Sequence, residues 1–332
     1  MHDAITDVNG IKVGHFSHFE ALTGCTVVLC EEGALAVADI CGAATGTRQM
    51  DALSSGHLVD RIDGVCLSGG SAFGLDAAGG VMKFLEEKGR GFDVGITKVP
   101  IVPGAVIFDL GIGDHRVRPD AEMGFQACIN ARGGFVEEGS VGAGTGATVG
   151  KLFGIKRAMK GGIGTASMRS KNGATVGVLV VVNAFGDVID PYSGRILAGA
   201  RVSEKSKRLA DSAKRMMEGT IKRQFGSGNT TLAIIATDVH LRREDLRRVA
   251  RLGHNGLAKT ISPLHTTFDG DIIFVLSIGG KEGDVNTVGI LAEVVLIHAV
   301  MRSVQKADGL GAIPAFTDIS NERGDKACRE KR

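Results

Sequence analysis

The sequence predicts a layered α/β protein in which helices cover sheets that are apolar on both faces. Three observations lead there. Short β-branched runs alternate with longer segments of helical period, and hydrophobic residues make up 43% of the 332 positions against 23% charged. The third is glycine, at 49 residues about twice the ordinary usage, punctuating the apolar runs without forming a low-complexity tract. That distribution indicates tight turns and close backbone packing, and argues against disorder.

The elements follow in chain order. Strand-like pieces occupy 11–13, 25–30 and 34–40, and Glu31-Glu32-Gly33 between the last two reads as a hairpin with a short loop. A small-residue loop, 41–48, precedes a strand at 64–67, which runs through Ser68-Gly-Gly-Ser-Ala-Phe-Gly74 into a helix over about 75–88. Strand, glycine turn and helix are also the setting of a phosphate loop, since free N–H groups at a helix start attract anions. Neither a P-loop pattern nor GxGxxG is present, which favours tight helix–strand packing.

Pro100 and Pro103 make a rigid extended lead into 105–110, and residues 119–131 form a second helix with Ala121, Phe125, Ala127 and Cys128 toward the core. The glycine-rich segment 139–151 can bring N–H groups against a substrate or pack on a neighbouring strand. Strands follow at 160–167 and 174–182, and Asn183 closes the second as a turn former would. Residues 194–224 are charge-rich and read as a surface linker. Beyond them come a strand at 231–237, a helix at 241–258, a loop over 262–267, a strand at 271–277, an apolar helix at 285–304 and a polar tail to Arg332.

Composition narrows the function classes. Net charge is +2, too small a field to argue for nucleic acid, and Arg242, Arg243, Arg247, Arg248 and Arg251 alternate with apolar residues as the wet face of a helix would. Six scattered cysteines without a CxxC pair read as buried free thiols, and His57, His115, His254, His265 and His298 show no metal-ligand spacing. No signal-peptide pattern opens the chain and no stretch of about 18 uninterrupted apolar residues occurs, so a soluble cytoplasmic protein without cofactor, metal or membrane partner is the expectation.

The chemistry concentrates at Gly226-Ser227-Gly228-Asn229-Thr230-Thr231, a permissive loop that opens into a β-branched strand. A threonine hydroxyl needs a base beside it, and cutting the chain in front of Thr230 would supply one as its own α-amine. The same pattern also reads as a plain loop, Asp269-Gly-Asp271 as a turn, and Lys151 as a solvated lysine after a glycine turn.

Taken together, Leu67-Ser-Gly-Gly-Ser-Ala-Phe-Gly-Leu75, Pro100-Ile-Val-Pro-Gly-Ala-Val-Ile-Phe-Asp-Leu110, Gly142-Ala-Gly-Thr-Gly146, Lys160-Gly-Gly-Ile-Gly-Thr-Ala-Ser167 and Gly228-Asn-Thr-Thr231 resemble, in family order, the P1-family peptidases (family S58). This DmpA-like group of N-terminal-nucleophile aminopeptidases also contains the β-peptidyl aminopeptidases and the nylon-oligomer (6-aminohexanoate) hydrolases. The resemblance covers nearly the whole chain. It implies one catalytic domain over 1–332 with a four-layer α/β/β/α sandwich of the DmpA/ornithine acetyltransferase type, self-cleaved between Asn229 and Thr230 into a large subunit, 1–229, and a small one, 230–332. It further implies a homo-oligomer, a tetramer of cleaved units or larger.

By the same resemblance Thr230 is the nucleophile, Asn183 a side-chain donor to the oxyanion, and Asp269 and Asp271 an acidic pair that orients the nucleophile and its amine. Gly144, Thr145 and Gly146 form the substrate and oxyanion loop. Lys151 is similar to the nylon-hydrolase branch, since the aminopeptidase branch carries a tyrosine there and Tyr192 is the only tyrosine in this chain. The implied activity is hydrolysis of small peptides or ω-amino-acid oligomers through an acyl-enzyme. Acyl transfer to an amine, or an uncut binding protein, are the alternatives.

Overall fold

The computed structural model describes residues 1–220 and 228–319. Gly226 and Ser227 of the junction, the last residues of the expected linker, and residues 320–332 of the polar tail, with Cys328, lie outside the described residues.

Eight strands of the main sheet carry the fold: β1 (Ile11–His18), β2 (Thr23–Ile40), β3 (Arg61–Ser68), β4 (Gly104–Val106), β5 (Gly162–Arg169), β6 (Thr175–Asn183), β7 (Thr230–Val239) and β8 (Ile272–Lys281). They form a continuous sheet in the order β5-β6-β7-β8-β2-β3-β4, edged by the two-residue strand Thr47–Arg48, with β1 also paired to β2. Neighbours are antiparallel except β7 with β8 and β3 with β4.

Alternation along the strands divides the interior. Val176, Val178, Val180, Ala233, Ile235, Ile273 and Val275 face one way, onto α4 (Arg243–Thr260) and α5 (Val285–Gln305). Leu179, Val181, Leu232, Ile234, Phe274 and Leu276 face the other way and meet Val13, Val28, Ile62, Val65 and Leu67 of the first strands. The opposite face of those first strands, with Cys25, Val27, Leu29 and Cys66, packs on α1 (Ala77–Glu87) and α2 (Ala121–Ile129). The layers are therefore helix, sheet, sheet, helix.

Phe274 fills the layer between the sheets without solvent contact. Phe274→Ala is expected to cost about 3–5 kcal/mol of unfolding free energy, read as a lower urea midpoint at unchanged slope. Equal midpoints would mean that this layer collapses around the cavity.

The long strand β2 is where the structure departs from the expected hairpin. Its residues 35–40 pair with β8, its residues 23–30 pair with β1, and the register with β3 shifts between Leu29 and Ala34. Glu31-Glu32-Gly33 is thus a bulge in one strand that changes partners, with Gly33 at φ +68. The other long elements fall within a few residues of expectation. Glycine does what its abundance suggested where helices cross: a Cβ on Gly80 would lie 1.7 Å from the Ala121 carbonyl oxygen, and one on Gly124 would lie 1.9 Å from that of Ala77.

Two further expectations are revised. The charged stretch before the junction is not a free linker, because it folds into α3 (Ser212–Met217) and is pinned by Asp187, whose carboxylate accepts from Ala200 N, Ser212 N and Ser212 Oγ. Arg243 does not share the wet face of α4. Its side chain is 11% exposed and donates to the carbonyls of Ala36, Leu53, Val59 and Asp60, strapping the helix to the first strands. The cysteines Cys25, Cys30, Cys66 and Cys128 are free and buried as expected, whereas Cys41 is exposed. By length and composition α5 would pass for a membrane span, yet 56% of that stretch is buried, and it lies against the sheet.

Candidate active site

Strand β7 begins at Thr230, which lies opposite Asn183 at the end of β6. Its flank toward β8 extends backward by one residue, since Asn229 bridges Asp269 in parallel. Asn229 N donates to Phe268 O at 3.3 Å, Asn229 Nδ2 donates to the same oxygen at 3.2 Å, and Gly270 N donates to Asn229 O at 2.8 Å. The peptide between Asn229 and Thr230 is consequently held at both ends and buried, with the two residues 1% and 4% exposed.

The side chain of Thr230 turns back on that peptide. Its Oγ1 donates to Asn229 O at 2.6 Å, so the carbonyl oxygen takes hydrogen bonds from the threonine hydroxyl and from Gly270 N at once. A Cβ at position 270 would come within 2.5 Å of Ala44 O and 3.0 Å of Thr230 Oγ1, which leaves glycine the residue that fits there. A polarised carbonyl with a hydroxyl resting on it is the geometry an N→O acyl shift starts from.

The two aspartates stand on either side of Gly270 and are fully engaged. Asp271 Oδ1 accepts from Thr231 N at 2.7 Å, and Asp271 Oδ2 lies 2.8 Å from His265 Nδ1. Asp269 accepts from Phe185 N through Oδ1 and from Thr266 N and Oγ1 through Oδ2. Burial pushes the Asp269 carboxyl above its ordinary range, the neighbouring Asp271 charge adds to that, and the hydrogen bonds from Thr266 and Phe185 oppose it. Asp271 therefore reaches Thr230 only through the N–H of its neighbour Thr231, and Asp269 supports the loop that clamps Asn229.

Lys151 sits at the other end of the same peptide segment. Its Nζ donates at 2.8 Å to both the carbonyl and the side-chain oxygen of Asn183, and reaches Gly228 O at 3.5 Å. It is buried, not solvated, and desolvation brings its pKa down to about 7 although the charges of Asp269, Asp109 and Asp271 act the other way. Asn183 Oδ1 also accepts from Thr148 N, and its Nδ2 donates to Phe108 O at 3.1 Å. The Asn183 amide is thus committed to its own neighbours, and the donors on the Asn229 carbonyl are Gly270 N and the Thr230 hydroxyl.

Gly144, Thr145 and Gly146 stand one step behind the clamp. Gly144 N and Thr145 N donate within the loop, to Val141 O and Gly142 O, while Thr145 O accepts from Lys160 Nζ at 2.6 Å. Lys160 is fully buried and, like Lys151, brought down to about 7 by desolvation. The other glycine turn is filled from inside: Gly70 N donates to Asp109 Oδ1 at 2.7 Å, so a carboxylate takes the N–H that a phosphate would need.

Sequence reasoning passed over Gly270 and His265. Gly270 acts through its backbone N–H, which every non-proline residue carries, so only its place between two aspartates marked it. His265 precedes Asp271 by six residues, a spacing without a motif, and the fold closes that gap. The fold likewise gathers Cys41, His254 and His265, the one group of this kind among the described residues, although their spacing had suggested no metal ligation.

Comparison with known proteins identifies the family and the fold. Peptidase family S58 matches residues 3–312 of the chain. An uncharacterized aminopeptidase of Mycobacterium tuberculosis is 39% identical, over 96% of this chain and 98% of that protein. A 6-aminohexanoate-oligomer endohydrolase of a Kocuria species is 29% identical, over 82% of this chain and 74% of its own. In fold, the chain is similar to the l-aminopeptidase d-Ala-esterase/amidase of Ochrobactrum anthropi, described as a variant of the Ntn hydrolase fold. The two superpose with a TM-score of 0.71 at 18% identity, over 97% of this chain and 94% of that one.

Proposed function

The chain belongs to peptidase family S58, and from that premise we propose that it is a self-processing amidohydrolase whose nucleophile is Thr230, freed by cleavage after Asn229. The observation that supports this most is the double hydrogen bond on the Asn229 carbonyl, from Thr230 Oγ1 at 2.6 Å and Gly270 N at 2.8 Å.

In the first step Thr230 Oγ1 attacks the Asn229 carbonyl carbon and its proton passes to the neutral amine of Lys151. The negative charge on the carbonyl oxygen is met by Gly270 N, which already points at it. Collapse breaks the peptide bond, the Thr230 nitrogen takes a proton and leaves as an amine, and Asn229 is carried as an ester on Oγ1. Water then hydrolyses the ester, giving 1–229 and 230–332, and the released α-amine becomes available as base to the same hydroxyl.

Turnover repeats the chemistry on an external amide. Thr230 Oγ1 takes the acyl group, the amine product departs, and water regenerates the hydroxyl. Asp271 keeps the first residues of β7 in place through Thr231 N. Small peptides or ω-amino-acid oligomers are the proposed substrates, a reading supported by the named activities of the similar aminopeptidase and endohydrolase.

Intact mass of the purified chain under denaturing conditions tests the first step. Two fragments matching 1–229 and 230–332 are expected. A single mass that persists through long incubation at neutral pH would remove the basis of the mechanism and favour an uncut binding protein.

A further inference from the structure

Cys41, His254 and His265 come from three separate elements: the turn after β2, the middle of α4, and the loop before β8. Their potential ligand atoms all lie within 4.8 Å of one another. Cys41 Sγ is 3.3 Å from His254 Nε2, close to the separation of about 3.5 Å that tetrahedral zinc imposes on a sulfur and a nitrogen ligand. We propose that these three side chains form a binding site for a thiophilic divalent cation of the zinc class, set directly behind the acidic pair.

His265 carries the argument furthest. Its Nδ1 is occupied by Asp271 Oδ2 at 2.8 Å, and its Nε2 is buried with no hydrogen-bond partner. A carboxylate on one imidazole nitrogen and an open position on the other is the support that metal-binding histidines use, because it fixes the tautomer and raises the basicity of the free nitrogen. A hydrogen-bonded Cys–His pair alone would leave that nitrogen unsatisfied. A cation would satisfy it.

The surroundings are consistent with a held ion. Cys41 N and Gly42 N both donate to Asp271 O, at 3.0 and 3.3 Å, so the thiol-bearing turn is tied to the same strand end as the histidine loop. Cys41 is exposed, giving an ion a way in and leaving a fourth position for water, and Asp39 Oδ2 stands 3.7 Å from His254 Nε2 as a further acidic group. Binding would release the thiol proton to solvent. Charge on the ion would then sit one imidazole away from Asp271.

The site does not depend on the proposed reaction, and its test reads binding alone. The full-length chain, reduced and stripped with chelator, is titrated with Co2+ and followed by absorption, then back-titrated with Zn2+. One equivalent per chain is expected, with a thiolate-to-cobalt charge-transfer band and intense visible bands of a tetrahedral site that Zn2+ abolishes. Cys41→Ser is expected to lose the charge-transfer band and to weaken binding by about 100-fold or more, and His254→Gln to weaken it to a similar degree, with the metal-free melting temperature of the serine variant unchanged. No saturable cobalt spectrum, or a spectrum that both variants retain, would overturn the proposal.

Discussion

Thr230→Ala is expected to yield one uncut chain of full mass, with no fragment after incubation times at which the natural chain is fully processed. The loss should approach the roughly 10⁶-fold scale seen when a nucleophile is removed, since it is the Thr230 hydroxyl that rests on the Asn229 carbonyl. The fold should survive, because the clamp on Asn229 is made by backbone groups of Phe268 and Gly270 and does not require the threonine side chain. Thr230→Ser keeps the hydroxyl and is expected to cut. Fragments of 1–229 and 230–332 in the alanine variant, measured by intact mass, would show that Thr230 is not the attacking group.

Lys151 should produce the second large effect. Lys151→Met removes the proposed base and is expected to slow self-cleavage by about 10²–10⁴-fold. The natural chain should show the same group in its pH profile. Burial brings Lys151 down to about 7, so its neutral, proton-accepting form predominates above that pH and its ammonium form below it. The first-order rate of fragment formation therefore rises with pH, levels off above about 7, and falls about tenfold for each unit below it. A rate that is flat across the neutral range, or a methionine variant that cuts at the natural rate, would assign the base elsewhere.

Much of the fold was legible before any coordinates. Apolar runs that become β6, β7 and β8 are buried on both faces, which is why they show neither alternation nor charge, and their limits fall close to those read from the sequence. The misreadings share a cause: they turn on partners distant in the chain. Glu31-Glu32-Gly33 has the local chemistry of a turn, yet β1 takes the strand before it and β8 the strand after it, which makes it a bulge in one continuous strand. Arg243 has the helical spacing of an exposed residue, yet it caps carbonyls of the first strands.

At the site, the side chains expected to act are found within one neighbourhood, linked through Asn183, Lys151 and the strand ends. Their contacts were not legible. Which way an amide points, or that a buried lysine is held near neutrality, depends on burial and on groups such as Phe108 O and Thr148 N. One of the donors on the Asn229 carbonyl, Gly270 N, is a main-chain group and leaves no mark of residue type.

Strand β7, the first segment after the junction, is hydrogen-bonded on one side to β6 and on the other to β8. A break before Thr230 would therefore leave the new small piece stitched into the middle of the sheet, with one neighbouring strand from each piece. Under native conditions the nicked molecule would migrate as a single particle, and gel filtration would not distinguish it from the intact chain. Unfolding is another matter. Before the break, refolding is a one-molecule event independent of dilution; after it, two separate polypeptides must find each other, and recovery from denaturant becomes concentration-dependent. The same peptide bond that yields the nucleophile would thus mark the point beyond which the molecule's persistence is set by how slowly it comes apart.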